Sequence, residues 1–233
     1  MMQLRVYEQV DSVLQEGRKV KEYMKVLNLY AGIGGNRKLW DYPGMEVTAV
    51  EYDEKIARIY KDNFPEDNVV VEDAHEYLLK NFREFDFIWA SPPCPSHSKV
   101  RKQLSMKKRK DGTVFEQNPP IYPDMRLYQE IILLDKWYDG FYCIENVVPY
   151  YEPLIDGQKL GRHVFWSNMK LPDVKVKPRG NFDSIEGLSE FLGFDLSQYS
   201  GINKKLLLRN CVEPEVGKII FDTFVKNYTE GNA

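Results

Sequence analysis

Near its start the sequence reads Val26-Leu27-Asn28-Leu29-Tyr30-Ala31-Gly32-Ile33-Gly34-Gly35, an apolar run followed by a glycine-rich turn. The apolar run predicts a buried strand over 26–30, and the glycines predict a tight turn into a helix that begins near Asn36. Because glycine has no Cβ, such a turn lets the backbone approach a ligand closely at a helix N-terminus. The pattern is typical of the first strand and turn of a ligand-binding α/β sheet.

Strands and helices alternate along the rest of the chain. Further apolar runs predict strands over 46–51, 69–71, 86–90, 141–145 and 163–167. Apolar spacing and capping residues predict helices over 4–23, 53–63 and 124–138. This alternation predicts an α/β fold with a mostly parallel sheet and helices on both faces. Ligands of such sheets bind outside the carboxyl ends of the strands.

Composition fits one α/β domain, because 233 residues with 43% hydrophobic side chains can bury a substantial core. No apolar stretch approaches the ~18–20 residues of a membrane span, and the polar residues 1–25 lack the core of a secretory signal. Three cysteines without a framework spacing predict a reducing, cytoplasmic location. With no Cys-x-x-Cys pair and three scattered histidines, we expect no metal site.

Two stretches interrupt the alternation of strands and helices. Residues 95–123 form a basic, proline-rich connection that is long for a passive loop. Residues 170–205 are polar and rich in glycine and proline, with a short helix predicted around 188–193. Both stretches are candidates for additions to the sheet that serve a specific function.

Basic residues are concentrated in the first of these stretches although the net charge of the chain is −3. Seven of them lie between positions 99 and 110 with no acid among them: Lys99, Arg101, Lys102, Lys107, Lys108, Arg109 and Lys110. A solvated basic loop is the simplest interpretation of such a run. Its start five residues after Cys94 favours contact with phosphates near a reacting group, and Ser98 lies at its edge.

Acidic residues follow the second and third predicted strands. Glu51 can accept hydrogen bonds from both ribose hydroxyls of an adenosine, and Asp73 can accept one from an adenine amino group. Tyr30 offers an aromatic face beside such a ligand. Taken singly, each of these acids is more typical of a helix cap or a surface acid than of a ligand contact. In series, and without a second nucleotide-binding half, they favour S-adenosylmethionine over a dinucleotide.

Cys94 ends the motif Ser91-Pro92-Pro93-Cys94, which directly follows an apolar run. A cysteine after a strand is often an inert core residue, but two prolines stiffen this turn and favour an exposed nucleophile. Because the thiolate is the reactive form, we expect a helix N-terminus, the basic run or Arg162 to favour the anion. We assign Cys143 and Cys211 to the core.

Glu145 closes the fifth predicted strand, where burial of an unpaired carboxylate is costly and raises its pKa. It is therefore a candidate acid that donates to a ring nitrogen of the substrate. The alternative is a carboxylate that caps the following loop. Asn146 is expected to hold the orientation of Glu145.

In this order, the motifs resemble those of the cytosine-5 DNA methyltransferase family. Asn28–Gly35 is similar to the family's cofactor loop, which more usually begins with Asp and carries Phe at position 30. Pro93-Cys94 matches the catalytic Pro-Cys, with Pro95 where Gln is common, and Glu145-Asn146-Val147 matches the Glu-Asn-Val element. Together these motifs in order are a specific signal that spans most of the chain.

Two later motifs extend the resemblance with one replacement each. Gln158-Lys159-Leu160-Gly161-Arg162 resembles Gln-x-Arg-x-Arg with Leu160 in place of the first Arg, which implies that Arg162 contacts the cytosine carbonyl. Arg209-Asn210-Cys211-Val212 resembles Gly-Asn-x-Val with Arg209 in place of Gly, which implies that Asn210 helps to hold the cofactor.

The resemblance implies a Rossmann-like S-adenosylmethionine-dependent methyltransferase fold and methyl transfer to carbon 5 of a flipped-out cytosine. The catalytic residues it implies are Pro93, Cys94, Glu145, Asn146 and Arg162. The implied cofactor contacts are Tyr30, Ala31, Gly32, Ile33, Gly34, Gly35, Glu51, Tyr52, Asp73, Ala74, Pro92, Asn210 and Val212. Double-stranded DNA is the implied partner, gripped by Ser98 and the seven basic residues, and S-adenosyl-L-homocysteine is the implied product.

On this basis we predict a catalytic domain over 1–168 and 205–233 and a small target-recognition segment over 169–204. Fewer than 50 residues separate Arg162 from Arg209, whereas the family normally places a substantial recognition domain there. Specificity is then relaxed, supplied by the loop over 95–123, or lent by a partner. The expected location is the cytoplasm, on the nucleoid when DNA is bound.

Three alternatives accompany this interpretation. An RNA (tRNA) cytosine-5 methyltransferase would use the same chemistry. A cofactor-binding, DNA-binding subunit with weak activity is disfavoured by the intact Cys94 and Glu145. An amino-methylating DNA enzyme is rejected, because its motif needs an aromatic residue to stack on the base where Cys94 stands.

Overall fold

The computed structural model describes residues 23–103, 106–116, 119–176, 180 and 184–231. Apart from Tyr23, the helix predicted over 4–23 lies outside these residues. Within them the strands are β1 Met24–Leu29, β2 Met45–Val50, β3 Asn68–Val70, β4 Phe87–Ala90, β5 Met106–Lys108, β6 Val114–Glu116, β7 Phe141–Val147, β8 Gln158–Leu160 and β9 His163–Ser167. The helices are α1 Glu54–Asn63, α2 Ala74–Asn81, α3 Lys99–Gln103, α4 Arg126–Trp137, α5 Ile185–Leu192, α6 Lys204–Asn210 and α7 Pro214–Glu230, and a single 3₁₀ turn spans Phe82–Glu84.

Seven of the described strands form one sheet in the order β3-β2-β1-β4-β7-β9-β8. The pairs from β3 to β7 are all parallel, whereas β9 runs antiparallel to β7 and to β8. This arrangement confirms the predicted α/β class and the mostly parallel sheet. Each strand predicted from an apolar run is present, and the last of them, β9, pairs antiparallel with β7.

Apolar side chains cover both faces of the sheet, as the continuous apolar runs of its strands require. On one face, Trp40 stacks on Phe221 of α7 with ring centroids 5.0 Å apart. On the other face, Ile131 and Leu134 of α4 pack in one cluster with Ile88 of β4. The sheet therefore has helices on both sides, and its carboxyl edge remains for a ligand.

Asp53 and Asp73 begin the helices that follow β2 and β3. The carboxylate of Asp53 accepts hydrogen bonds from the backbone N–H groups of Lys55 and Ile56. That of Asp73 accepts them from His75 and Glu76. These are N-caps, and the cap at Asp53 and the helix that it begins were predicted.

The helix predicted to begin near Asn36 is wrong, because residues 36–39 form turns. Gly217 of α7 lies against this backbone, so that a Cβ at position 217 would stand 2.1 Å from the carbonyl oxygen of Asn36. The buried side chain of Asn36 donates to Asn28 at 2.8 Å. Residues 36–39 therefore pack closely against α7 as turns and do not form a helix.

The two irregular stretches contain short elements. Residues 95–123 hold α3 and an antiparallel hairpin of β5 and β6, in which Met106 pairs with Glu116. Residues 185–208 include α5, whose Leu188 and Leu192 pack in one cluster with Ile33 and Ile59. The division into a catalytic domain and a target-recognition segment stays a prediction. None of the described helices is long and apolar enough to cross a membrane.

Candidate active site

The predicted site residues lie at one edge of the sheet. Because β2, β1, β4 and β7 are parallel and adjacent, their carboxyl ends meet at the same edge. The glycine-rich turn follows β1, Glu51 follows β2, and Cys94 follows β4. Glu145 lies near the carboxyl end of β7. The topology therefore brings the nucleophile, the acid and the cofactor loop together.

The cofactor loop is shaped by Glu51 and by one strained residue. The Glu51 carboxylate accepts hydrogen bonds from the backbone N–H of Gly32 at 2.9 Å and of Asp53 at 3.0 Å. Tyr30, among the described residues, is the non-glycine residue with a positive φ, 54°. Left-handed backbone is unfavourable for a residue with a Cβ, and such strain is a feature of ligand-binding turns.

The three glycines of this loop serve different purposes. A Cβ on Gly34 would stand 2.2 Å from the Phe64 ring, and one on Gly35 would stand 2.6 Å from the Val212 carbonyl oxygen. A Cβ on Gly32, whose φ is +56°, would meet nothing within 4 Å. Gly34 and Gly35 therefore permit close packing, whereas Gly32 borders open space. Gly32 thus leaves room for a ligand beside the Glu51 carboxylate, which accepts the Gly32 N–H.

The remaining predicted cofactor contacts differ in exposure. Tyr52 is 76% exposed next to Glu51, so its ring is accessible to a ligand. Asn210 is exposed at the last residue of α6. The side chains of Ala31, Ile33, Ala74, Pro92 and Val212 are buried.

Glu130 of α4 lies beside the cofactor loop and was missed by the sequence interpretation. The Tyr30 hydroxyl donates a hydrogen bond to its carboxylate, and the Nδ1 atom of His75 lies 2.9 Å away. Burial and the charge of Glu130 raise the pKa of the Tyr30 hydroxyl, and the hydrogen bond to Glu130 raises the pKa of His75. The available signal was an acid on the apolar face of a predicted helix, next to Ile131.

Cys94 begins a turn in which its carbonyl oxygen accepts the N–H groups of His97 and Ser98, at 3.0 and 3.1 Å. The side chain is half-buried. Burial and the charge of Glu145 raise the pKa of the thiol, and Arg162 lowers it by less. The expectation that the site favours the thiolate is therefore wrong for the free protein, because burial and a facing carboxylate outweigh the guanidinium.

Glu145 is 7% exposed, although it is a charged residue at the end of a strand. Burial raises the pKa of its carboxyl to about 7, with a further upward contribution from Glu213, while a hydrogen bond to Ser91 and the charge of Arg162 lower it. Its Oε1 atom lies 3.4 Å from Nε2 of His163. Near neutral pH this carboxyl group can therefore both donate and accept a proton.

Asn146 has a different partner from the one expected. Its Nδ2 atom donates to the carbonyl oxygen of Pro92 at 3.0 Å, and its Oδ1 atom accepts the N–H of Val147 at 2.9 Å. The expectation that Asn146 orients the Glu145 carboxylate is thus corrected. Asn146 instead ties β7 to the turn that carries Cys94.

Arg162 is anchored by Glu213, which precedes α7. Its Nε atom donates to Glu213 at 2.9 Å, and Nη2 lies 3.4 and 3.3 Å from the carbonyl oxygens of Arg209 and Cys211. The Arg162 side chain keeps 44% exposure. Glu213 and His163 were not predicted as site residues. The sequence shows only that His163 directly follows Arg162 and that Glu213 directly follows Val212.

The basic residues lie mostly in the solvent. Lys107, Lys108, Arg109 and Lys110 are exposed on or beside β5, and the Arg109 guanidinium lies 4.7 Å from the centroid of the Phe115 ring. Lys99 is exposed in α3, Ser98 accepts the N–H of Val100 at 3.2 Å, and Arg101 donates to the Pro119 carbonyl at 3.1 Å. The side chain of Lys102 lies outside the described residues. Within the described part of the chain no group of acidic, His and Cys side chains has the arrangement of a metal site.

The chain shares its fold with a solved methyltransferase and matches one family model over part of its length. A solved methyltransferase of Entamoeba histolytica superposes with a TM-score of 0.51 at 11% identity, over 91% of this chain and 99% of that one. This likeness shows that the chain has the fold of that methyltransferase. The space at Gly32 and the Glu51 carboxylate suit S-adenosylmethionine, the cofactor expected from the sequence. Residues 24–118 match the family model described as C-5 cytosine-specific DNA methylase.

Two curated relatives match part of the chain. The tRNA (cytosine(38)-C(5))-methyltransferase of Spodoptera frugiperda is 33% identical over 85 residues, which is 34% of this chain and 26% of the relative. The type II methyltransferase M.NgoPII of Neisseria gonorrhoeae is 33% identical over 79 residues, 33% of this chain and 23% of the relative. The matches thus span about a quarter of the length of each relative.

Proposed function

We propose that this protein transfers a methyl group from S-adenosylmethionine to carbon 5 of a cytosine in DNA through a covalent intermediate on Cys94. The observation that carries the proposal is the meeting of Cys94 and Glu145 at adjacent strand ends, close enough for the charge of Glu145 to raise the pKa of the thiol. A nucleophile beside an acid whose pKa is about 7 suits addition to a heteroaromatic ring.

In the first step the Cys94 sulfur forms a bond with carbon 6 of the cytosine. Glu145 donates its proton to ring nitrogen 3, so that the electron pair displaced from the ring double bond makes carbon 5 nucleophilic. S-adenosylmethionine, when bound, supplies the methyl cation that carbon 5 accepts, and it leaves as S-adenosylhomocysteine. Loss of the carbon 5 proton to solvent, return of the nitrogen 3 proton to Glu145 and departure of the Cys94 thiolate then restore the aromatic ring.

Glu145 also controls the nucleophile. While ionised, it opposes the thiolate at Cys94, and once protonated it no longer does so. The pair is therefore set to react in the state in which the acid holds its proton and the thiol has lost one. Arg162, which also favours the thiolate, is proposed to contact the cytosine carbonyl.

The basic segment is proposed to contact the nucleic-acid backbone. A base stacked in a duplex cannot present carbon 6 to a cysteine, so the cytosine has to be flipped out. The exposed lysines of the β5–β6 hairpin follow Cys94 in the chain and suit phosphate contacts, which position the substrate without reading its sequence. A specificity partner would complement the short segment over 169–204.

RNA is the second candidate substrate. The observation in its favour is the similarity to a tRNA (cytosine(38)-C(5))-methyltransferase, which equals the DNA methyltransferase match in identity. The chemistry at Cys94 and Glu145 would be the same for both polymers. The choice between them depends on the backbone contacts of the basic segment.

The test is covalent trapping. Protein is incubated with tritiated S-adenosylmethionine and either duplex DNA or RNA that contains 5-fluorocytosine, where fluorine replaces the proton that must leave carbon 5. A denaturation-resistant adduct with DNA, absent in Cys94→Ser, is expected. An adduct with RNA alone would support the second candidate, and no adduct with either polymer despite cofactor binding would contradict the proposed function.

A further inference from the structure

Two buried side chains outside the recognised motifs, His163 and Glu213, connect the candidate acid with Arg162. Nε2 of His163 lies 3.4 Å from Oε1 of Glu145, and its Nδ1 lies 4.0 Å from Oε2 of Glu213. The other carboxylate oxygen of Glu213 accepts the Nε–H of Arg162 at 2.9 Å. The four side chains therefore form one chain of alternating acidic and basic groups.

The strand pairing holds His163 at Glu145. In the antiparallel pair of β7 and β9, Glu145 is opposite Phe165 and Val147 is opposite His163. Residues two apart on a strand share a face, so Glu145 and His163 are diagonal neighbours on one face of the sheet. His163 is 5% exposed, which leaves its ring little freedom to turn away.

Glu213 is held by its backbone while its side chain remains directed to Arg162. Its carbonyl oxygen accepts the N–H groups of Val216 and Gly217 in the first turn of α7. At this N-cap position the carboxylate makes no cap hydrogen bond, and its ion pair with Arg162 is buried on the Glu213 side, at 6% exposure. An acidic side chain at this position ordinarily caps the helix, whereas the Glu213 carboxylate pairs with the Arg162 guanidinium.

We propose that His163 and Glu213 are positioning residues for base attack: Glu213 aims Arg162 at the substrate, and His163 holds Glu145 and sets its charge. This inference rests on the proposed function. The groups that face Glu145 are the Cys143 thiol on β7 itself, the Ser91 hydroxyl and the Cys94 thiol from the end of β4, His163 and Arg162 from β9 and the turn before it, and Glu213 before α7. Neither positioning residue lies within the family motifs that the sequence resembles.

From their positions we expect the two residues to act on Glu145 in opposite directions. An imidazole that donates to the carboxylate, or carries positive charge beside it, favours its ionised form, whereas the charge of Glu213 raises the pKa of Glu145. His163→Phe should therefore raise the pKa of Glu145, and Glu213→Gln should lower it. Loss of fold or of cofactor binding would not produce shifts of opposite sign.

The experiment measures kcat/KM for methyl transfer against pH in wild type, His163→Phe, His163→Gln and Glu213→Gln. The acidic limb of the wild-type kcat/KM profile should have its midpoint at about pH 7. Each variant should shift this midpoint by about one pH unit, upward for His163→Phe and downward for Glu213→Gln. His163→Gln keeps a donor and should be intermediate. Glu213→Gln should also reduce kcat/KM about ten- to a hundredfold, because Arg162 loses its charged partner.

Controls separate positioning from folding. Asp222→Asn makes the same change of carboxylate to amide on the exposed face of α7 and should leave the profile unchanged. Cofactor affinity and thermal unfolding are measured for every variant. If His163→Phe fails to fold, the pH profile of His163→Gln tests the role of His163 in its place. The proposal would be overturned if the midpoint of the acidic limb were the same in the variants as in wild type. It would also be overturned if cofactor affinity fell in parallel with kcat/KM.

A second measurement distinguishes failure of this inference from failure of the proposed function. The rate of Cys94 alkylation by iodoacetamide needs no substrate, and it reports the charge of Glu145 because that charge raises the pKa of the thiol. If wild type transfers no methyl group, the proposed function fails. The opposite shifts in the alkylation profile then still decide whether His163 and Glu213 set the charge of Glu145.

Discussion

The side-chain amide of Asn146 donates a hydrogen bond of 3.0 Å to the carbonyl oxygen of Pro92. It joins the end of β7 to the turn after β4, so the two strands that carry the candidate acid and the candidate nucleophile are tied two residues from Cys94. Both Asn146 and Pro92 are buried. Water is therefore a poor substitute for either partner.

Asn146→Ala should slow the formation of the 5-fluorocytosine adduct at least tenfold, because the turn that carries Cys94 loses its anchor. The buried carbonyl left without its donor should lower the free energy of unfolding by about 1–3 kcal/mol. Adduct formation is followed by denaturing electrophoresis and stability by urea titration. Asn81→Ala is the matched control, since Asn81 also donates to a backbone carbonyl, that of Tyr77 at 2.9 Å, but on α2. An Asn146→Ala protein that forms adduct at the wild-type rate would contradict the anchoring role.

Glu145→Gln should make Cys94 more reactive toward iodoacetamide while it impairs methyl transfer. At pH 8 the wild-type carboxylate is mostly ionised and opposes the thiolate. Removing that charge should lower the pKa of the thiol and speed alkylation about three- to tenfold. Mass spectrometry of the Cys94 peptide measures the rate, with Cys94→Ser to identify the site. Slower alkylation in Glu145→Gln than in wild type would contradict the inference that the charge of Glu145 opposes the Cys94 thiolate.

The same substitution should stabilise the protein at high pH. The pKa of the Glu145 carboxyl is about 7 in the folded protein, above its ordinary value of 4.5. The folded state then binds more protons than the unfolded state between these values, so stability falls as pH rises through this window and stays reduced above it. Glu145→Gln lacks the effect and should be more stable than wild type at pH 8, by on the order of 2–3 kcal/mol. Urea titrations at pH 5 and pH 8 test this, and equal differences at both values would contradict it.

Gly32→Ala should weaken cofactor binding without a clash inside the protein. A Cβ at this position enters the open space beside Glu51, at the cost of a left-handed backbone of about 1 kcal/mol. Binding of S-adenosylhomocysteine, measured by calorimetry, should weaken tenfold or more. Gly201→Ala is the matched control, because Gly201 has φ +69° and only the Lys55 Nζ atom near its Cβ position. Similar losses of affinity in the two variants would place the cofactor elsewhere.

The hairpin lysines should set the salt dependence of nucleic-acid binding. Lys107→Ala with Lys108→Ala should weaken binding to duplex DNA and reduce the slope of log K against log salt by about 2. Substitution of Lys80 and Lys226, exposed on α2 and α7, is the matched control and should leave the slope unchanged. Fluorescence anisotropy at several salt concentrations measures both. An unchanged slope in the hairpin variant would remove the hairpin from the nucleic-acid interface.

Much of the fold was predictable because buried parallel strands are apolar along their whole length. β1, β4 and β7 could be recognised on that basis, and the rule that their carboxyl ends share an edge placed Glu51, Cys94 and Glu145 together. The hairpin of β5 and β6 was missed because its short strands are exposed and carry no apolar run. The helix near Asn36 was wrongly predicted because its backbone packs on Gly217, 181 residues further along the chain.

The sequence by itself determined six strands of the main sheet, the helices after β2 and before β7, the sheet edge at which the site lies, and the residue types available there. Local spacing and capping carry this information, since they depend only on neighbours in the chain. The tertiary structure alone decided that Arg162 pairs with Glu213, that His163 lies at Glu145, and that Cys94 holds its proton in the free protein. Charge interactions depend on distance and on exclusion of water, and both are settled only when distant segments pack together.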